Sequence, residues 1–253
     1  MAKRQRLDRL LIERGLVENL EQAQKLILAG RVLLSEQCLD KVGAEVPKDA
    51  EIRITTTERY VSRGGEKLAA ALDHFELEVC GMNVLDIGAS TGGFTDCVLQ
   101  HGASSVWAVD VGTNQLDWRL RNDPRVHSFE GLNARLTEDL IEIGPIDPLE
   151  LVLCDVSFIS VKPIVQSCFA AFPHFQKMLV LVKPQFELNR GEVSAGGLVP
   201  QRSMQLEACA RVDTFVREIG LLASEPYGSP VRGQKAGNQE YFLLISHPKS
   251  QPS

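Results

Sequence analysis

Hydrophobic and polar residues alternate differently in the two parts of the chain. RLDRLLIERG (residues 6–15) has leucines at helical spacing and ends in a glycine, which is typical of a helix end. A second helix is predicted over residues 19–29, and two short β-like runs follow, RVLLSEQ and EIRITTT. This pattern predicts a compact N-terminal α+β domain over residues 1–57.

The pattern changes after a short junction. In residues 58–66, the Gly64-Gly65 pair interrupts any periodic pattern, and we interpret this segment as a linker. From residue 67 onward, helix-length segments alternate with short apolar runs: NVLDI, SVWAVD, LELVLCD, MLVLVK and a final EYFLLIS. Such alternation predicts an α/β domain over residues 67–253, with a parallel sheet covered by helices and the last run as an edge or closing strand.

Composition and charge narrow the possible functions. The 253 residues are 44% hydrophobic, enough for a full core, and the formal net charge is -6. Residues 1–35 carry seven lysines and arginines against four aspartates and glutamates, so this segment is +3 and the remainder is -9. A uniformly basic nucleic-acid binder is excluded. An anionic partner is expected to contact the basic N-terminal part of the chain, called the head below, first.

Cysteine and histidine usage indicates neither disulfides nor a metal. The six cysteines include no C-x-x-C pair and the five histidines show no ligand spacing, so we expect reduced, buried thiols and no structural metal. The start, MAKRQRLDRLL, lacks the apolar core of a signal peptide, and no apolar stretch approaches the ~18 residues that span a bilayer. We therefore expect a cytoplasmic protein with no membrane partner.

The segment NVLDIGASTGGFTDCVLQHG (residues 83–102) predicts a strand, a glycine-rich turn and a helix. Its spacing differs from the dinucleotide fingerprint G-x-G-x-x-G, which disfavours NAD. The next strand ends in Asp110, where a carboxylate can accept hydrogen bonds from ribose hydroxyls. This pattern favours S-adenosylmethionine, which has a ribose but no pyrophosphate. The predicted cofactor contacts in this region are Asp86, Gly88, Ala89, Ser90, Thr91, Gly92, Gly93, Phe94 and Asp110.

Several motifs together resemble one known family. LDIGASTGGFTDCVLQ, LCDVSFIS, LVKPQFE, GNQEYFL and SRGGEKL are similar to the TlyA-type proteins, a family known both as haemolysins and as rRNA ribose 2′-O-methyltransferases. The resemblance implies a Rossmann-like methyltransferase domain of the FtsJ type that uses S-adenosylmethionine. It also implies an N-terminal RNA-binding domain like that of the small-subunit ribosomal protein S-four.

The resemblance further implies a Lys-Asp-Lys-Glu catalytic tetrad. Matched motif by motif, its members are Lys67, Asp155, Lys183 and Glu240. A ribose 2′-hydroxyl is a poor nucleophile, and a lysine can take its proton only when the amine is neutral, a form that burial or a nearby positive charge favours. Either lysine remains a candidate base; we favour Lys183, which ends a buried strand. Asp155 is also expected near the cofactor.

RNA-binding residues are predicted in two places. In the head, the family domain implies contacts from Arg4, Arg6, Arg9, Lys25 and Arg31, and in the loop GSPVRGQKAGN, Arg232 and Lys235 are candidate phosphate ligands. Asn133, after the third strand, is a candidate adenine contact, and residues 189–197 form a candidate lid.

The primary hypothesis is a ribosomal RNA ribose 2′-O-methyltransferase that acts on ribosomal RNA or ribosomal subunits, does not act on DNA, and is a monomer or weak homodimer. Two alternatives remain open at this stage. One is a membrane-active haemolysin; the other is an RNA-binding protein without catalysis. Against the first stands the lack of a membrane-length segment, and against the second stands the complete tetrad.

Overall fold

The computed structural model describes residues 4–28, 32–34, 37–39, 41–54, 59–233 and 237–248, with the backbone alone at 37–38. The chain divides into two compact units, Met1–Arg59 and Tyr60–Ser253. The role assigned to each part, an RNA-binding head and a methyltransferase body, stays a prediction at this point.

The first unit is a small α+β structure. Its elements are β1 (Arg4–Arg6), α1 (Leu7–Glu13), α2 (Leu20–Leu28), β2 (Val32–Leu34), β3 (Gln37–Leu39), β4 (Glu45–Pro47) and β5 (Ile52–Ile54). β1 pairs with β4, and β2 lies between β3 and β5, all antiparallel. The leucines of α1 pack with Ala23 and Ile27 of α2 in one buried cluster, so the two predicted helices are confirmed.

The second unit alternates strands and helices. Its first half contains α3 (Gly64–His74), β6 (Asn83–Ile87), α4 (Gly93–Gln100), β7 (Ser105–Asp110), α5 (Trp118–Arg121), β8 (Val126–Glu130) and α6 (Thr137–Ile141). Its second half contains β9 (Leu151–Cys154), α7 (Lys162–Ala171), β10 (Lys177–Val182), α8 (Pro184–Glu187), α9 (Arg202–Glu218), β11 (Leu222–Ala223), β12 (Tyr227–Gly228) and β13 (Tyr241–Ser246).

These strands form one mixed sheet. Its order is β11-β13-β10-β9-β6-β7-β8, and β12 also pairs with β13. The strands β6 to β10 are mutually parallel as predicted, whereas β13 runs antiparallel to β10. The prediction of an edge position for the last run was wrong, because β11 and β12 pair with the other side of β13.

Helices cover both faces of this sheet. One buried cluster contains side chains of α7 and α9, and the other contains side chains of α3 and α4; β9 and β10 contribute to both. Strand order reverses between β6 and β9, and ligands of open α/β sheets bind at the carboxyl edge of such a switch point. The fold thus predicts where a site should form.

Two local predictions need correction. Gly64 and Gly65 are not a break but the first turn of α3. Glycine is needed at position 65 because Tyr60 packs so closely that a Cβ there would lie 2.2 Å from its ring. Of the thiols, Cys97, Cys154, Cys168 and Cys209 are buried as expected, but Cys80 is exposed. The side chain of Cys38 lies outside the described residues.

Candidate active site

Strand register brings three of the four tetrad residues to one place. Cys154 of β9 pairs with Val180 of β10, and Asp155 is the next residue after Cys154. Val182 of β10 pairs with Tyr241 of the antiparallel strand β13, so Lys183 after β10 and Glu240 before β13 are also neighbours. Asp155, Lys183 and Glu240 therefore meet at the carboxyl edge of the central strands.

The fourth residue, Lys67, reaches this edge from α3. Its Nζ donates a hydrogen bond of 2.5 Å to Glu240 Oε2. Lys67 is 8% exposed and Glu240 only 3%, so both charges are removed from water. Buried charges are tolerated when they are paired, and here each neutralises the other.

Lys183 is held by a second set of contacts. Its Nζ lies 2.6 Å from Asp155 Oδ1 in an ion pair, and it donates to Ser157 Oγ at 2.7 Å. The Asp155 side chain is about one-fifth exposed, whereas that of Lys183 is 10% exposed. Two oxygen partners fix two directions around the amine and leave the remaining direction for another ligand.

Glu187 connects the segments that carry Asp155 and Lys183. Its buried carboxylate accepts hydrogen bonds from Ser160 Oγ (2.6 Å) and Val161 N (2.8 Å), which follow the SFI stretch. Burial raises the pKa of the Glu187 carboxyl, and the two hydrogen bonds oppose that rise. Sequence reasoning assigned no role to Glu187 or Ser157, although both lie inside the motifs VKPQFE and DVSFIS.

The predicted glycine turn joins β6 to α4 at the same edge. Gly88 has φ of +84°, and a Cβ there would lie 2.7 Å from the backbone oxygen of Asp155, so no larger residue fits. The amides of Gly88 and Ala89 both donate to Val109 O of β7. The turn is thus fixed against β7 on one side and against the Asp155 segment on the other.

Asp110 organises the outer side of this turn. Its Oδ2 accepts from Ser90 N at 2.8 Å and its Oδ1 from Gly112 N at 2.7 Å. Each carboxylate oxygen has a second lone pair, so Asp110 can still accept hydrogen bonds from a diol. Ser90 and Thr91 are exposed, whereas Gly93 and Phe94 are buried.

Asp86, one of the predicted cofactor contacts, is the buried acid of the segment that leads into the turn. It is fully buried beneath the turn, where its Oδ2 accepts from Thr95 Oγ1 at 2.6 Å. Burial, with a smaller contribution from the charges of Asp155 and Asp110, raises its pKa to about 7. Asp86 thus ties β6 to Thr95 of α4, and its contact with a cofactor stays a prediction.

Glu130 is the last residue of β8, and Asn133 follows shortly after it. Asn133 Oδ1 accepts from Arg135 N, a turn within its own segment, and Leu132 N donates to Asp110 O, which places the segment beside β7. The carboxylate of Glu130 accepts from the amides of residues 114 and 115, and these hydrogen bonds lower its pKa. Sequence reasoning missed Glu130, although it also ends a strand at the carboxyl edge.

The predicted RNA ligands of the head differ in how they are engaged. Arg6 pairs with Asp8, whose side chain is 1% exposed, and this contact lowers the pKa of Asp8. Arg4 donates to the backbone oxygen of Glu45, and Lys25 pairs with Glu21 on the helix surface.

Arg9 is exposed, with no side-chain partner among the residues that the structure describes. Arg31 lies outside the described residues, as does Lys235 of the second predicted patch.

The described residues also bear on metal binding and membrane insertion. Within the described ranges, no group of three His, Cys, Asp or Glu side chains could hold a metal ion. No described helix combines the length and apolar character needed to cross a membrane.

The chain is similar to known proteins over nearly its whole length. Residues 60–246 match the family model of FtsJ-like methyltransferases. The 16S/23S rRNA (cytidine-2′-O)-methyltransferase TlyA of Mycobacterium tuberculosis is 41% identical over 248 residues, covering 97% of this chain and 91% of that protein. Hemolysin A of Brachyspira hyodysenteriae is 37% identical over 239 residues, covering 94% of this chain and 98% of that protein.

A solved structure from Streptococcus thermophilus that bears the name hemolysin is similar throughout. It is 38% identical with a TM-score of 0.71, and the match covers 99% of this chain and 90% of that chain. The similarity extends over both units of the chain.

Proposed function

Because the chain belongs to the TlyA-type family of rRNA methyltransferases and haemolysins, with an FtsJ-like methyltransferase domain, we propose that it methylates a ribose 2′-hydroxyl of ribosomal RNA. The observation that carries this proposal is the pairing of two lysines with two carboxylates at the carboxyl edge of the sheet. Transfer to a ribose hydroxyl requires a proton acceptor and a fixed line of attack, and this arrangement supplies groups for both.

The residues of the glycine turn fit S-adenosylmethionine as methyl donor, and when bound it would supply an electrophilic methyl group on a sulfonium. Asp110 would accept hydrogen bonds from the ribose hydroxyls with its remaining lone pairs. Gly88 lets the turn lie directly against the Asp155 segment at the switch point between β6 and β9. Asn133 is proposed beside the adenine, since its segment follows β8 at the same edge.

Lys183 is the proposed base. The amine must be neutral to accept the proton of the 2′-hydroxyl, and its contacts to Asp155 and Ser157 would then aim its lone pair away from both oxygens. Lys67 is engaged by a single short contact with a more deeply buried carboxylate, so it is proposed to hold Glu240 and the substrate in place. Asp155 stands close enough to Lys183 to stabilise the ammonium that forms.

The head is proposed to dock the substrate. Its exposed Arg9 and the surface pair of Lys25 can bind phosphates without leaving a buried charge unpaired, whereas Arg6 is held by buried Asp8. An S-four-type RNA-binding role for residues 1–57 is part of this proposal, as is a cytoplasmic location beside the ribosome.

The proposal is tested by methyl transfer to ribosomal subunits. Purified protein, S-adenosylmethionine labelled in its methyl group and subunits from cells lacking the protein are incubated, and the RNA is digested to nucleosides. The expected product is a nucleoside methylated on the ribose. Label on a base would refute the reaction type, and absence of label from both subunits would refute the substrate.

A further inference from the structure

A groove of about 610 Å³ lies on the second unit outside the tetrad. It is bounded by the segment before α9, the first turns of α9, and the chain that leads into β13. Its walls include Leu198 and Leu206, which are 39% and 37% exposed. Its volume is in the range of sites that hold small ligands, and a nucleotide is of that size.

The charge of the groove is positive. Among the lining residues that the structure describes, Arg202 and Arg232 are the two that carry a charge, and none is a carboxylate. Neither guanidinium has a side-chain partner within the described residues, whereas carboxylates engage other arginines of this unit: Arg119, Arg121, Arg125, Arg211 and Arg217. On an acidic body, two free guanidinium groups facing one groove select an anion, and a phosphodiester suits their planar fork of donors.

The floor of the groove is built by hydrogen bonds between buried side chains. Tyr241 Oη donates to Gln205 Oε1 at 2.9 Å, and Gln205 Nε2 donates to Val199 O at 2.7 Å. Buried Asn238 donates to Gly197 O (2.7 Å) and accepts from Val199 N (2.9 Å). The shape of the groove is thus fixed before a ligand arrives, which lowers the entropic cost of binding.

The groove begins one residue away from the tetrad. Gln239 and Tyr241 line it, and Glu240 between them points to Lys67 on the other side of the chain. A strand rises about 3.3 Å per residue, so the two sites are neighbours along the same edge of the sheet. An RNA strand that places one ribose at the tetrad would place a neighbouring nucleotide at the groove.

We infer that this groove binds a nucleotide of the substrate RNA next to the one that is methylated. Arg202 and Arg232 hold its phosphate, and the apolar walls at Leu198 and Leu206 contact its base or sugar. The inference rests on the proposed function, and it adds Arg202 as an RNA ligand and the groove as a subsite.

The test compares arginines at the two ends of one helix. Arg202→Gln removes a groove charge at the start of α9, and Arg217→Gln removes an equal charge near its end, where Arg217 pairs with Asp213. Affinity for deproteinised ribosomal RNA is measured by filter binding across a salt series with the full chain. For Arg202→Gln and Arg232→Gln combined, the slope of log affinity against log salt should be about 0.7 units shallower, the value for one phosphate no longer neutralised.

The kinetic arm separates this inference from the proposed function. With ribosomal subunits, Arg202→Gln should raise KM roughly tenfold, the loss of one hydrogen bond to a charged group, while Arg217→Gln should match the wild type. A slope for the double variant equal to that of the wild type, with equal KM for the two single variants, would overturn the groove as an RNA subsite. Absence of methyl transfer by the wild-type chain would refute the proposed function, and the binding arm would still decide the inference.

Discussion

Lys67 and Glu240 lie 173 positions apart in the sequence, yet their side chains form a buried ion pair with 2.5 Å between Nζ and Oε2. The contact joins α3, the first helix of the second unit, to the residue before its last long strand. It ties the two ends of the methyltransferase domain together at the proposed site of methyl transfer.

Removing one partner of this pair should destabilise the second unit. Glu240→Ala leaves the Lys67 ammonium buried without its carboxylate, which should lower the free energy of unfolding by about 3–5 kcal/mol. Lys67→Met combined with Glu240→Leu should cost clearly less than the sum of the single changes. Urea unfolding gives both values, and Asp213→Ala, which breaks an exposed pair on α9, should change stability by less than about 1 kcal/mol. Additive losses would show that the two side chains do not interact.

Asp86 should make stability depend on pH. The pKa of its carboxyl is about 7 in the folded chain against 3.8 for the unperturbed group, so the folded state holds the proton more tightly. The free energy of unfolding should therefore fall as pH rises from about 4 to about 7, by about 4 kcal/mol from this group, and stay level above that range.

Asp86→Asn cannot ionise, so this part of the pH dependence should disappear in the variant. Urea unfolding of both proteins at pH 5, 6, 7 and 8 gives the difference between the two curves, from which other carboxylates cancel. A constant difference across that range would mean that the Asp86 carboxyl titrates normally.

Asp110→Ala should weaken binding of S-adenosylmethionine about ten- to a hundredfold. The change removes the acceptor for the ribose hydroxyls and also the contacts that hold Ser90 N and Gly112 N. Asp123→Ala is the control, because Asp123 pairs with Arg125 before β8, at the opposite edge of the sheet. Calorimetric titration measures both affinities. Equal dissociation constants for wild type and Asp110→Ala would show that Asp110 does not bind the ribose of the cofactor.

Arg9 and Arg6 should respond differently to loss of charge. Arg9→Gln should make the salt dependence of ribosomal RNA binding shallower by roughly 0.7–0.9 units and leave stability unchanged. Arg6→Gln should lower stability, because the Asp8 carboxylate would stay buried without its partner. Filter binding and urea unfolding of both variants test this contrast, and an unstable Arg9→Gln with unchanged RNA binding would contradict it.

Much of the sheet could be predicted because buried parallel strands appear as short apolar runs. NVLDI and MLVLVK correspond to β6 and to most of β10, and the glycine turn follows β6 as its spacing indicated. The position of β13 could not be predicted, since hydrophobicity shows that a strand is buried but not which strands it pairs with. The role of Gly65 was missed for a similar reason, because the close packing of Tyr60 is a tertiary contact.

The candidate site shows the same limit. The family resemblance supplied the four tetrad residues, and strand register then explained how Asp155, Lys183 and Glu240 meet. The pairing of each lysine with one particular carboxylate needed the structure. So did the roles of Ser157 and Glu187, whose residue types alone do not distinguish a site contact from a surface group.

The central claim is that Lys183 takes the proton of a ribose 2′-hydroxyl, and single-turnover methylation of ribosomal subunits tests it most directly. Lys183→Met is compared with Lys177→Met, which changes an exposed lysine at the opposite end of β10. We predict a 2′-O-methylated nucleoside with wild type and Lys177→Met, and a rate at least about a hundredfold lower for Lys183→Met with nearly unchanged binding of S-adenosylmethionine. A rate for Lys183→Met close to that of Lys177→Met, or a product methylated on the base, would contradict the claim.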